Sequence, residues 1–223
     1  MSRWIQALLQ IVIVVAVPIV LVVMPVRLLM HPRYVWLEYG KPDFAPDPLG
    51  FTREERTRLA IIGVESIVGP RGVVVLQEAR LPDGSPAFNQ REVDHMQDVR
   101  VVTANIYVAQ VVMLIAAALA AFALVRAGPK SAAPTAMLTG ASGTLVLLVA
   151  LVALVLVGFD TFFTAFHRVF FTGETWLFDF TDTLIRLYPP QFWFDAATVI
   201  GVTTIVEAVV LGIAAWWWGR SVH

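Results

Sequence analysis

Four apolar runs, each long enough to cross a bilayer, constrain this chain more than anything else in its sequence. They fall at about 5–29, 101–125, 138–163 and 194–218. A helix needs about 20 consecutive apolar residues to span the hydrocarbon core. No water is available there for backbone N–H and C=O groups, so a spanning segment must close its hydrogen bonds internally. The sequence therefore predicts an all-α integral membrane protein, with four transmembrane helices and an extracytoplasmic cap between the first two. Residues 1–223 read as a single membrane domain. A cleaved signal peptide does not fit the first run, which is too long and lacks a small-x-small site. The last run ends in Trp216-Trp217-Trp218 and Arg220, an interfacial anchor.

The rest of the composition agrees. The chain is 58% hydrophobic with mean hydropathy +0.73. A net charge of −1 gives no general attraction to nucleic acid. The absence of cysteine removes disulfides, thiolate metal ligands and any acyl-thioester intermediate on the protein. Four crossings put both termini on one side, assigned here to the cytoplasmic face of a bacterial cytoplasmic membrane. Arg3, Arg126, Lys130 and Arg220 then lie inside, and the loops at 31–100 and 164–193 lie outside. Arg168 and Arg186 in the outer loops leave the charge count near a tie, and the long loop is largely exempt from it.

The long outer loop is the one sizeable polar region, and its start signals are local. A Pro-rich stretch from Lys41 to Pro48 reads as irregular. Thr52 through Glu55 is a capping box, predicting a helix over about 53–67. Val73 to Leu76 fits a strand or a helical turn equally. Asn89 reads as an N-cap, and nothing from Gln90 to Val125 breaks a helix. The second crossing should thus start outside the bilayer, with His95 roughly 9 Å beyond the apolar boundary at Val101. Glu92, His95 and Asp98 share one helical stripe, and carboxylates there would favour a protonated imidazole and fix its tautomer.

The short outer loop is aromatic. It carries His167 in an apolar collar beside Arg168, where desolvation disfavours the charged ring. Both histidines thus reach the same membrane face at headgroup depth. Histidine is the side chain suited to proton transfer near neutral pH, so chemistry on a lipid is expected.

Two stretches carry a resemblance. Phe88-Asn89-Gln90-Arg91-Glu92-Val93-Asp94-His95-Met96-Gln97-Asp98-Val99 resembles a His-Met-x-Asp-Val signature with its upstream Phe and acid. Phe166-His167-Arg168-Val169-Phe170-Phe171 through Trp176-Leu177-Phe178-Asp179 resembles a Phe-His-x-x-Phe-Phe and Trp-x-Phe signature. Together they are similar to a four-helix membrane family that includes the lipoprotein intramolecular transacylases (Lit). The resemblance implies transfer of the sn-2 acyl chain of a diacylglyceryl lipoprotein onto its N-terminal cysteine amine, giving a lyso-form lipoprotein. It implies diacylglyceryl lipoproteins and membrane lipid as partners, no cofactor, and His95 and His167 as the catalytic pair. The family pattern has an acid near the position of Gln191, and this chain does not.

The residue chemistry fits that reaction. One imidazole takes a proton from the attacking amine, and one serves as acid or oxyanion donor. The sequence assigns His95 as base, supported by Asp98 or Glu92, and His167 as its partner, with the roles exchangeable. Arg168, Trp176, Asp179 and Asp182 are supporting candidates. Asp160 and Arg186 stand beside them, either steadying the pair or forming an ion-pair cluster that shapes the loop. The plainer alternatives are a solvated His95 paired with a carboxylate, and a His167 that merely joins the aromatic belt. A zinc site from His31, His95, His167 and Asp98 lacks any supporting local spacing. His31 reads as structural or solvated and His223 as irrelevant. Ser66 does not sit in a G-x-S-x-G elbow. Glu207, within the fourth crossing, is expected to face the bundle interior, either as a protonated packing contact or as part of a proton path. A His-dependent lipid ester hydrolase and a non-catalytic membrane scaffold are the alternative functions.

Overall fold

The computed structural model describes residues 1–171 and 173–222, with all of their side chains except those of Phe159, Asp160 and Phe162. In chain order the helices are α1 (Arg3–Leu29), α2 (Pro32–Tyr39), α3 (Arg53–Val68), α4 (Val74–Glu78), α5 (Gln90–Ala127), α6 (Ala132–Val157), α7 (Phe159–Phe170), α8 (Thr183–Leu187) and α9 (Pro190–Ser221). The described residues hold no strand, only an isolated bridge between Arg80 and Pro86. Helices α1, α5, α6 and α9 are the four long and apolar enough to cross a membrane.

The chain divides into two compact units. A bundle unit comprises Met1–Val26, Ile106–Phe159 and the chain from Thr198 on. Its helices approach through small residues, because lipid removes the hydrophobic incentive to associate and leaves packing to do it. Ala136, Gly140 and Thr144 form one buried row on α6, and Thr204 and Ala208 are buried on α9. At Gly140 an added Cβ would lie 2.8 Å from that of Val17. Large apolar side chains such as Val108, Leu119, Phe122, Val149 and Val210 point outward. Glu207 belongs to this unit, and its Oε2 is buried without a hydrogen-bond partner among the described residues.

Apolar composition alone carries the third crossing on to Phe163. The helix instead stops at Val157, where Gly158 turns extended (φ −178°, ψ 93°), and α7 restarts at Phe159. The break frees Phe163, Phe166, His167 and Phe170 to share a face of a separate short helix.

The cap unit comprises Arg27–Asn105 and Asp160–Ala197. His31 opens α2: the Arg33 N–H donates to its Nδ1 at 3.1 Å, and Pro32 follows at the first helical position. Thr52 caps α3 by accepting from the Glu55 N–H at 3.1 Å. The undecided segment at 73–76 is a helical turn, the start of α4. Val35, Tyr39, Phe44, Leu59, Val64, Leu76, Phe88, Met96, Leu187 and Phe192 pack into one core. At Gly63, a Cβ would collide with the hydroxyl oxygen of Tyr188, so any larger residue there would displace that ring.

Arginines tie off the loop carbonyls. Arg56, 4% exposed, donates to Ala45 O (2.7 Å) and Arg186 O (2.9 Å). Arg100 donates from one Nη1 to Ser66, Ile67 and Gly69 carbonyls at the end of α3. Arg186 pairs with the buried Asp47 at 2.7 Å.

Candidate active site

The first turn of α5 is unusually well fixed. Asn89 Oδ1 accepts from the Glu92 N–H (3.0 Å), while Glu92 Oε2 accepts from the Asn89 N–H (2.7 Å), a reciprocal capping box. The other Glu92 oxygen accepts from the Leu184 N–H at 2.7 Å, and Thr183 donates to Ala87 O at 2.6 Å. Glu92 is only 1% exposed and serves the backbone of two segments 92 residues apart in the chain. One turn further along sits His95, 9% exposed. Phe171 and Phe178 each place a ring 5.2 Å from it, centroid to centroid. Its Nδ1 is buried and has no hydrogen-bond partner among the described residues.

His167 is held differently. Its Nδ1 lies 2.8 Å from the Phe163 carbonyl one turn earlier on α7. A carbonyl oxygen can only accept, so Nδ1 carries the proton and the neutral ring presents its lone pair at Nε2. Phe163 (4.0 Å), Trp176 (5.0 Å), Phe166 (5.6 Å) and Phe171 (5.6 Å) surround the half-buried ring. Trp176 is set by its own N–H, which donates to Gly173 O at 3.2 Å. Gly173 has φ +78°, a left-handed turn that favours glycine.

The two imidazoles face each other with centroids 6.5 Å apart and planes inclined by 24°. Burial in this aromatic collar, chiefly, and the neighbouring His167 push the His95 pKa down to about 4, against the weaker pull of Asp98. His95 precedes the apolar stretch 101–125 of its long helix, so solvent is what the collar excludes. Burial also lowers His167, outweighing its bond to the Phe163 carbonyl. Both rings are therefore neutral at physiological pH. The expectation that Glu92 and Asp98 would hold His95 protonated fails. Glu92 is spent on backbone N–H groups, and aromatic desolvation outweighs Asp98.

The remaining sequence candidates separate. Asp98 accepts from Thr175 Oγ1 at 3.3 Å and stays beside the pair. Arg91 reaches Asp182 at 2.7 Å and Asp179 at 3.1 Å, and Asn89 also donates to Asp182. These two acids clasp α5 to the loop after Phe171 and do not touch the imidazoles. Arg168 is exposed on α7. His31 is a helix cap, and Ser66 donates to Gly63 O. The Asp160 side chain and His223 lie outside the described residues. Among the described residues, no group of three His, Asp or Glu is placed to hold a metal. Sequence reasoning did not single out Arg91, Thr175, Phe171 or Phe178. The last two stood within the second motif, whose unusual aromatic density was their signal.

The chain matches the family model described as lipoprotein intramolecular transacylase Lit over residues 5–193. It is 27% identical over 210 residues to an uncharacterized protein of Aquifex aeolicus, covering 92% of each. Its fold is similar to that of the membrane integral lipoprotein intramolecular transacylase Lit of Bacillus cereus, with a TM-score of 0.80, 18% identity, and coverage of 99% of this chain and 98% of that one. A variant structure of the same Bacillus protein, with one histidine replaced by arginine, gives a TM-score of 0.72 at 18% identity over 97% and 92% of the two chains. The four apolar helices and the family match make this a multi-pass membrane protein, and the chain belongs to the lipoprotein intramolecular transacylase (Lit) family.

Proposed function

We propose that this protein moves the sn-2 acyl chain of a diacylglyceryl lipoprotein to the α-amine of the same lipoprotein's N-terminal cysteine, at the outer face of the bacterial cytoplasmic membrane. One observation carries the reading: two neutral, desolvated imidazoles face each other across 6.5 Å, and one of them has its Nε2 lone pair available.

The chemistry closes without a co-reactant. The neutral amine nitrogen attacks the ester carbonyl carbon and a C–N bond forms. His167 Nε2 takes the N–H proton while the carbonyl oxygen becomes an oxyanion. His95, held neutral, donates its remaining N–H to that oxygen; a neutral imidazole can polarise a carbonyl without carrying charge. The ester C–O bond then breaks, and the glycerol oxygen takes the proton back from His167. An ester and an amine become an amide and an alcohol. Donor and acceptor belong to one molecule, so positioning supplies much of the acceleration.

This assignment exchanges the two roles expected from sequence alone. His167 is the better base because its Nδ1–H bond orients the ring and fixes the tautomer. His95 is the better donor because it is the more deeply buried of the two. The aromatic collar also favours transfer over hydrolysis, since it keeps competing water from the acyl carbon.

Incubating the purified protein with a synthetic S-diacylglyceryl cysteinyl peptide and reading the product mass tests this. The reading expects N-acyl lyso-peptide of unchanged mass that resists further amine labelling. Release of free fatty acid, or full turnover by both His95→Gln and His167→Gln variants, would defeat it.

A further inference from the structure

Among the described residues, a carboxylate stands beside the histidine pair with no cation to neutralise it. Glu92 is occupied by two backbone N–H groups and Asp179 and Asp182 by Arg91. Asp98 is different. It lies three residues beyond His95 on the same helical stripe, and its field reaches His95. Among the described residues its one side-chain partner is Thr175 Oγ1 at a long 3.3 Å, and Thr175 precedes Trp176, whose ring packs on His167. Among the described residues no Lys or Arg lies within ion-pair distance of Asp98. Nor does Asp98 orient His95 as a tautomer-fixing carboxylate would, because among the described residues His95 Nδ1 has no hydrogen-bond partner.

We propose that Asp98 binds the α-ammonium of the substrate's N-terminal cysteine and delivers that nitrogen to the histidine pair, where it releases one proton to bulk solvent and becomes the neutral amine that attacks. The inference rests on the acyl-transfer reading above and names the group that recognises its acceptor. The physical case is one of charge. The acceptor arrives largely as an ammonium, since α-amino groups titrate at about 7.7–8.0. The imidazoles are neutral and the collar is aromatic, so nothing else described at the site offers an anion. A carboxylate awaiting a cation within roughly one helical turn (about 5.4 Å) of His95 along α5 also explains the loose Thr175 contact, a hydroxyl donor that yields its place to a charged one. The same geometry explains product release, because the amide formed by transfer carries no charge and loses its hold on Asp98. Specificity follows: a cysteine already acylated on nitrogen is a poor ligand, so the protein discriminates unmodified from N-acylated lipoproteins before any chemistry.

The experiment compares binding of two probes, an ether-linked S-dialkylglyceryl cysteinyl peptide with a free amine, which has no acyl group to transfer, and the same peptide N-acetylated, at pH 6.5 in nanodiscs, with the diacylglyceryl peptide kept for turnover. The wild type should bind the free amine about tenfold more tightly, as a charged hydrogen bond predicts. Asp98→Asn, which keeps the acceptor oxygen for Thr175, should lose the preference and raise KM. Its kcat should fall less, and the acid limb of kcat should move to lower pH, because the bound amine no longer sits beside a negative charge. Thr175→Val removes the bridge but keeps the carboxylate, and should keep the preference. Asp98→Asn with the preference intact overturns the proposal, as does its loss in both variants alike, which would make the bridge a loop tether. A wild type that N-acylates the peptide yet shows no preference overturns the role of Asp98 alone. A wild type that makes no N-acyl product overturns the acyl-transfer reading beneath it.

Discussion

The two histidines sit on supports of different stiffness. His95 rises from the start of α5, where a reciprocal capping box, a bond to Leu184 and the Arg91 clasp hold the first turn in place. His167 sits near the end of a twelve-residue helix, half-buried, its ring bonded, among the described residues, to a carbonyl of its own α7. One site half is anchored by contacts distant in sequence and the other by contacts nearby. A group that stabilises developing charge works best when it does not reorganise. A group that collects a proton from one atom and returns it to another needs a fixed tautomer and some freedom. The division of labour proposed for the pair follows from that difference.

The strongest way to break the comparison is to remove each ring. His167→Gln should lower N-acylation by about 10³-fold, the range of a general base. His95→Gln should cost about 10²-fold, the range of one oxyanion donor. Progress curves of N-acyl product at saturating peptide distinguish the two. Equal losses would mean that the pair acts as one unit without separate roles.

Support for His95 can be weakened without touching it. Glu92→Ala leaves the Asn89 and Leu184 N–H groups without their carboxyl acceptor, and burial prevents water from replacing it. A cost of about 3 kcal/mol is expected, read as a drop in the thermal midpoint of the detergent-solubilised protein. On the His167 side, Gly173→Ala strains a backbone at φ +78° and should cost only about 1 kcal/mol. Its effect should appear in activity, through Trp176, more than in stability.

These contrasts also mark how far the sequence could be read. The crossings, the Thr52 and Asn89 caps and the unbroken α5 were legible because each is written within a few residues. The state of His95 was not. The i, i+3 spacing of Glu92 suggested a carboxylate facing an imidazole, but the capping box turned that carboxylate back to the backbone. The rings that desolvate His95 come from residues 171 and 178, more than 70 positions away. The break at Gly158 was hidden by apolar residues continuing on both sides of it. His31 looked like a spare imidazole and is a helix cap.

Proton linkage sharpens the comparison further. The His95 pKa is depressed to about 4, so between that value and the ordinary 6.5 the unfolded chain binds a proton that the folded chain refuses. Stability should therefore fall as pH drops below about 6.5 and level off near 4, where both states are protonated. His95→Gln should flatten that part of the curve. His167→Gln should flatten it less, because its ring is the less buried. Chemical denaturation at a series of pH values reads both slopes, and a steeper contribution from His167 would contradict the assigned difference in desolvation.

The smallest effect tests the clasp itself. Arg91 lies across Phe178 at 5.8 Å and pairs with Asp179 and Asp182 at the surface. Exposed ion pairs contribute little to stability, so Arg91→Gln should barely move the thermal midpoint. Phe178 also packs on His95, however, and a looser loop admits water to the collar. The expected signature is an upward shift of the His95 titration, followed by NMR of the imidazole, with stability nearly unchanged. If stability falls and the titration does not move, the clasp is only a brace, and the rigidity around His95 comes from Glu92 alone.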